Sequence, residues 1–94
     1  MRFVWDEAKA ESNFRKHGIR FEEAAQVFGD PLHLTVQDRL EDGEYRWQTI
    51  GQIYGIAVVV VAHTVVETRD TDEVIRIISA RRATSRERKR YENG

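Results

Sequence analysis

The reading of the chain turns on residues 45–66, Tyr45-Arg46-Trp47-Gln48-Thr49-Ile50-Gly51-Gln52-Ile53-Tyr54-Gly55-Ile56-Ala57-Val58-Val59-Val60-Val61-Ala62-His63-Thr64-Val65-Val66. β-Branched and aromatic side chains dominate this run, and they fit a pleated, half-buried surface better than a helix. Tyr54-Gly55 supplies a turn signal, so two strands are expected, Tyr45 to Ile53 and Ile56 to Val66. Upstream, Leu32 to Gln37 alternates loosely as a further strand and leads into Leu40-Glu41-Asp42-Gly43, where Asp-Gly is a hairpin signal. Downstream, a polar turn over Arg69 to Asp72 precedes another β-branched run, Val74 to Ala80.

Outside these strands the pattern changes. Phe3-Val4-Trp5 reads as a short edge strand, and Asp6 offers an N-cap. Lys9 stands where Glu or Gln would complete a capping box. Ala8, Ala10, Phe14 and the His17-Gly18 ending predict a helix over about 6–17, stopped by Gly18. Apolar residues at 21, 24, 25 and 28 predict a second helix from Phe21 to Phe28, broken by Gly29-Asp30-Pro31. Thr84 or Ser85 caps a last helix through Tyr91, with Glu87 near its third position. Helices grouped before hairpin-connected strands define an α+β fold with an antiparallel sheet, not a parallel βαβ layout.

A chain of 94 residues is expected to form one domain over 1–94. At this size about 60–65% of the unfolded surface is buried, which favours a compact core and a shallow surface site over a deep pocket. The absence of cysteine excludes disulfides, thiolate nucleophiles and sulfur-based zinc sites. Charge appears within the first six residues, before any signal-peptide core, and the longest apolar run, Ile56 to Ala62, has seven residues. A membrane helix needs roughly 20. A cytoplasmic location is the expectation. The net charge of −1 hides an asymmetry: residues 1–45 carry ten acids and six bases, residues 46–94 nine bases and six acids. Six of those bases, Arg81, Arg82, Arg86, Arg88, Lys89 and Arg90, fall within ten residues against one acid, Glu87. Such a patch suits a phosphate-bearing or acidic partner, or is simply a solvated helix face.

His17, His33 and His63 lie far apart, with no neighbour at metal-ligand spacing, so no metal or cofactor is expected. No Gly-rich phosphate loop is present, and Ser12, Ser79 and Ser85 lack the glycines of a nucleophile elbow. Cationic and imidazole chemistry remains. RNA is cleaved without metal when its 2′-hydroxyl attacks the adjacent phosphate, given a base, an acid and positive charge for the transition state. Arginine and lysine suit the charge, histidine the proton. Each candidate also has an ordinary reading. His63 shares a strand face with Val59, Val61 and Val65, as a core or edge histidine would. His17 is placed to satisfy the end of its helix. Arg46 and Arg76 alternate with apolar neighbours and are explained by solvation.

In order along the chain, Phe3-x-Trp5-Asp6-x-x-Lys9, Asn13-x-x-Lys16-His17-Gly18-Ile19-x-Phe21-Glu22-Glu23-Ala24 and Val27-Phe28-x-Asp30-Pro31 resemble the BrnT toxins of type II toxin–antitoxin systems. Glu44-x-Arg46, Ile50-Gly51 and the valine-rich strand ending in His63-Thr64 continue the resemblance, as does Ile75-Arg76-Ile77-Ile78-Ser79-Ala80-Arg81-Arg82-Ala83-Thr84 with Glu87-Arg88 and Tyr91. Over Val65 to Asp72 the chain carries more residues than the family pattern. The resemblance implies a RelE-like fold: a mostly antiparallel sheet of four to five strands, two N-terminal helices and one C-terminal helix. It implies a metal-independent endoribonuclease that arrests translation and growth, acts on RNA, and is neutralised by a BrnA-like antitoxin. DNA would be bound only through that antitoxin. The positions it marks for the site are Lys16, His17, Arg46, His63 and Arg81, with lysine and arginines on phosphate and a histidine carrying the proton. The alternative is a non-catalytic binding module or inactive toxin homologue, engaging an acidic partner or nucleic acid through the basic C-terminal helix.

Overall fold

The computed structural model describes residues 1–70 and 72–94. Thr71, inside the polar turn expected over Arg69 to Asp72, lies outside the described residues. The order of elements is β1 (Arg2–Val4), α1 (Glu7–His17), α2 (Phe21–Ala24), a 3-10 turn (Ala25–Gly29), β2 (Leu34–Glu41), β3 (Glu44–Ile53), β4 (Ala57–Glu67), β5 (Glu73–Arg82) and α3 (Ser85–Asn93). The sheet runs β1-β5-β4-β3-β2. Its β2, β3, β4 and β5 neighbours are antiparallel, and β1 pairs with β5 in parallel. The α+β fold follows the order expected from sequence.

Three local outcomes differ from the expectation. The second helix is a single α turn that tightens into the 3-10 turn. That segment packs on β3 at Gly51, where an added Cβ would lie 3.0 Å from the Val27 Cβ and 3.1 Å from its carbonyl oxygen. Only glycine leaves room there. Strand β2 extends through Glu41, so the hairpin turn shrinks to Asp42-Gly43. Both turn residues sit at positive φ, 53° and 77°, the geometry that matches strand twist in two-residue hairpins, and Tyr54 and Gly55, in the three-residue turn before β4, also sit at positive φ, 55° and 66°. Third, β4 and β5 run past the bounds expected for them, and their ladder pairs out to Glu67 with Glu73.

Helix caps follow the chemistry of the chain. The Asp6 side chain accepts from the Lys9 N–H at 3.1 Å, and Thr84, not Ser85, caps α3 in a complete box with Glu87. Asn13, buried in α1, replaces a missing strand. Its side chain donates to the Ala80 carbonyl and accepts from the Ala80 N–H, both at 3.0 Å, and also donates to the Ile19 carbonyl at 3.1 Å. β1 ends opposite Arg76, so Asn13 satisfies the edge of β5 beyond it.

The two faces of the sheet are unequal. Phe21, Ala24, Val27, Val59, Val61, Ile75, Ile77 and Ala80 form the main core beneath the N-terminal helices. On the other face a small cluster of Ile50, Val60 and Tyr91 lies under α3. α3 covers one end of that face and leaves the rest open.

Candidate functional site

Strand alternation and register set out the open face in rows. Leu34, Ile50, Val60 and Arg81 form the row nearest α3, and Val36, Gln48, Ala62 and Ser79 form the next. Beyond it lie Arg39 paired with Arg46, and Thr64 paired with Arg76. Trp47 opposes His63, so one further step of the same ladder brings Arg46 beside Thr64. Three arginines and a threonine therefore cross the sheet in line. A register irregularity between Gln37 and Arg39 on β2, and another after Ala62 on the β4–β5 pair, bring these side chains to one face.

Counter-charges are fewer than the arginines. Arg39 Nε donates to Glu41 at 3.1 Å, while Arg46 Nε stands 3.9 Å from the same carboxylate. Arg46 Nε is buried without a hydrogen-bond partner among the described residues, and so is Thr64 Oγ1. Arg76 reaches across β4 and donates to Glu44 Oε1 at 2.6 Å. Arg81 makes two parallel bonds to Glu87, at 2.7 and 2.9 Å, tying the start of α3 to β5. The Arg81 hydrogen bonds hold the Glu87 carboxyl down at about 2.

The other end of α3 is clasped by Asp30. Its carboxylate accepts from Leu32 N–H at 2.9 Å, Gln52 N–H at 2.8 Å and Tyr91 O–H at 2.5 Å. Burial and this bond to Asp30 push Tyr91 up to about 12. The three donated bonds outweigh burial and hold Asp30 below its ordinary range. In the sequence Asp30 was legible as part of a helix breaker and of the Val27-Phe28-x-Asp30-Pro31 motif, not as the clasp of α3.

Lys16 and His17, from the last turn of α1, share a shallow groove with Lys9, Ile78 and Ser79. Ser79 also belongs to the open face, where it lies between Arg76 and Arg81. Of the five residues expected at the site, Lys16 and His17 share this groove at the edge of β5, while Arg81 on β5 and Arg46 on β3 lie on the open face of the sheet. The fifth joins neither group. His63 is 1% exposed on the opposite face, beneath the helices. Its Nε2 bonds the Thr49 hydroxyl at 2.8 Å, and its ring meets Phe28 edge-on at 5.0 Å. Burial lowers its pKa and keeps the imidazole neutral. A core histidine sealed from solvent cannot exchange a proton with a substrate on the far side of the sheet, so the expectation for His63 is corrected to a structural one. Arg76 and Thr64 were missed as site residues. Their signal was alternation opposite the core residues Ile75, Ile77 and His63, but the row they build needs strand pairing.

Fold and surface together define an α+β protein with one buried sheet face and one arginine-rich open face. The chain matches the family described as "Ribonuclease toxin, BrnT, of type II toxin-antitoxin system" over residues 5–87. It belongs to that family, as a ribonuclease toxin of a type II toxin–antitoxin system. The 1.1 Å crystal structure of the Brucella abortus ribonuclease toxin BrnT is similar to it in fold, with a TM-score of 0.65, 24% identity, and coverage of 90% of this chain and 99% of that one. No curated protein matches the chain.

Proposed function

We propose that the chain is a metal-independent endoribonuclease acting on the open face of its sheet. The observation that carries this reading is the line of guanidinium groups on a face that α3 leaves uncovered, adjoining Lys16 and His17. Arg46, Lys16 and Arg81 would hold the phosphate and stabilise its added charge in the transition state. A base takes the proton of the 2′-hydroxyl as that oxygen attacks phosphorus. The 5′-oxygen leaves and takes a proton, giving a 2′,3′-cyclic phosphate and a free 5′-hydroxyl. His17, half-exposed at the rim, is the imidazole available for proton transfer. Arg81 has a second duty as the anchor of α3, which limits how far it can lean toward RNA.

In this reading a BrnA-like antitoxin silences the chain, RNA cleavage arrests translation and growth, and DNA is reached only through the antitoxin. A cytoplasmic site of action accords with an RNA target, and no helix among the described residues is long and apolar enough to cross a membrane.

Purified protein should degrade RNA in the presence of EDTA. His17→Ala and Arg46→Ala should each slow cleavage by about 10²–10³-fold, typical of lost proton transfer or transition-state charge. Their thermal midpoints should stay put. Cleavage abolished by chelation and restored by added metal would overturn metal independence, and salt-sensitive RNA binding without cleavage would favour the binding-module alternative.

A further inference from the structure

Thr64 and Arg76 have no part in the reaction so far, yet they form the least satisfied polar ground on the molecule. Thr64 is 1% exposed, and its hydroxyl has no partner among the described residues. Such a buried group is costly unless a ligand completes it. The Arg46 Nε–H next to it is in the same condition. Above them, the Arg76–Glu44 ion pair spans from β5 to β3 and passes over β4, where Thr64 sits. Arg76 is about half exposed and Glu44 somewhat less, so the lid is a surface ion pair of small worth. The Glu44 carboxylate thus rests on the Arg76 guanidinium, where a phosphate oxygen would sit.

The geometry points to a phosphodiester subsite in which Thr64 and Arg76, beside Arg46, hold an RNA phosphate flanking the one that is cut, with Glu44 filling the subsite when RNA is absent. Arginine forks and a hydroxyl donor match phosphate oxygens. Position argues for the same ligand: the subsite lies one row of the sheet away from Ser79, which borders the Lys16–His17 groove. Extended RNA running from that groove across β4 toward Arg39 would meet it next. Displacing Glu44 is part of binding, so Glu44 and Arg76 affect RNA in opposite directions. The inference rests on the ribonuclease reading for its ligand.

The test uses a short 2′-O-methyl RNA strand, which cannot be cut, and the full chain. Arg76→Gln should weaken binding about tenfold and lessen its salt dependence by about one phosphate contact. Glu44→Gln should tighten binding several-fold, and this sign alone decides the matter should Arg76→Gln fail to fold. On cleavable RNA, Arg76→Gln should raise KM more than it lowers kcat. Unchanged affinity in both variants, or a shift in the same direction, would overturn the subsite, as would effects confined to antitoxin binding. Pyrophosphate separates the two layers of argument. It should raise the thermal midpoint of the natural chain and not that of Arg76→Gln, even if the chain cut no RNA. Equal stabilisation of both would overturn the subsite even with cleavage intact.

Discussion

His63 and Thr64 are consecutive, equally buried, and opposite in condition. Each is 1% exposed, and each carries a polar group out of water. On the helix-covered face, His63 has Thr49, itself bonded to Thr35 at 2.8 Å, so a polar chain crosses the core with its needs met. On the open face, Thr64 and Arg46 are left with unmade bonds beneath an ion pair. Protein interiors satisfy their polar groups almost without exception. The difference separates a side of the sheet built to stay as it is from a side whose hydrogen bonding is finished by something else.

The sharpest way to break this comparison is to empty the satisfied side. His63→Ala leaves a cavity and removes one of the two partners of the Thr49 hydroxyl, so it should cost about 2–4 kcal/mol of unfolding free energy in a denaturant titration. A well-folded His63→Ala variant that had lost only RNA cleavage would return His63 to the chemistry. A smaller effect comes from pH. Burial depresses the folded pKa of His63 below its ordinary 6.5, so the neutral form is the native one. Its stabilising contribution is complete above pH 6.5 and is lost as pH falls below that value toward the folded pKa. Denaturant midpoints should decline over that window in the natural chain, and the decline should be shallower in His63→Gln. The smallest effect is expected at the unsatisfied side. Thr64→Val keeps the shape and removes the orphan hydroxyl, so the fold should gain up to about 1 kcal/mol while RNA binding weakens. Loss of stability in that variant would mean Thr64 is already satisfied.

The fold was largely legible because its signals are local. The β-branched runs, the Asp42-Gly43 and Tyr54-Gly55 turns, the Asp6 and Thr84 caps and the Gly18 stop each act within a few residues. The broken second helix was not, since its shape answers to Gly51 on a distant strand. The same divide runs through the site. Lys16 and His17 came from a motif on one helix end, and Arg46 and Arg81 from motifs on single strands. Arg76 read as ordinary surface because its meaning lies in its neighbours: Thr64 across one ladder, Arg46 across the next, and Glu44 beyond. Alternation gives the face of a residue but not its row. His63 was misread for the converse reason, since a histidine closing a valine strand looks poised for chemistry until Phe28 and Thr49 are seen to enclose it.

The central claim is that RNA meets the open face and no other. Amide and arginine side-chain resonances of the labelled chain, followed during titration with an uncleavable RNA strand, test it most directly. The account predicts shifts at Lys16, His17, Arg46, Thr64, Arg76 and Ser79, with the His63 and Val59 surroundings quiet. Shifts gathered instead on the exposed basic face of α3, with Arg46, Thr64 and Arg76 unmoved, would contradict it.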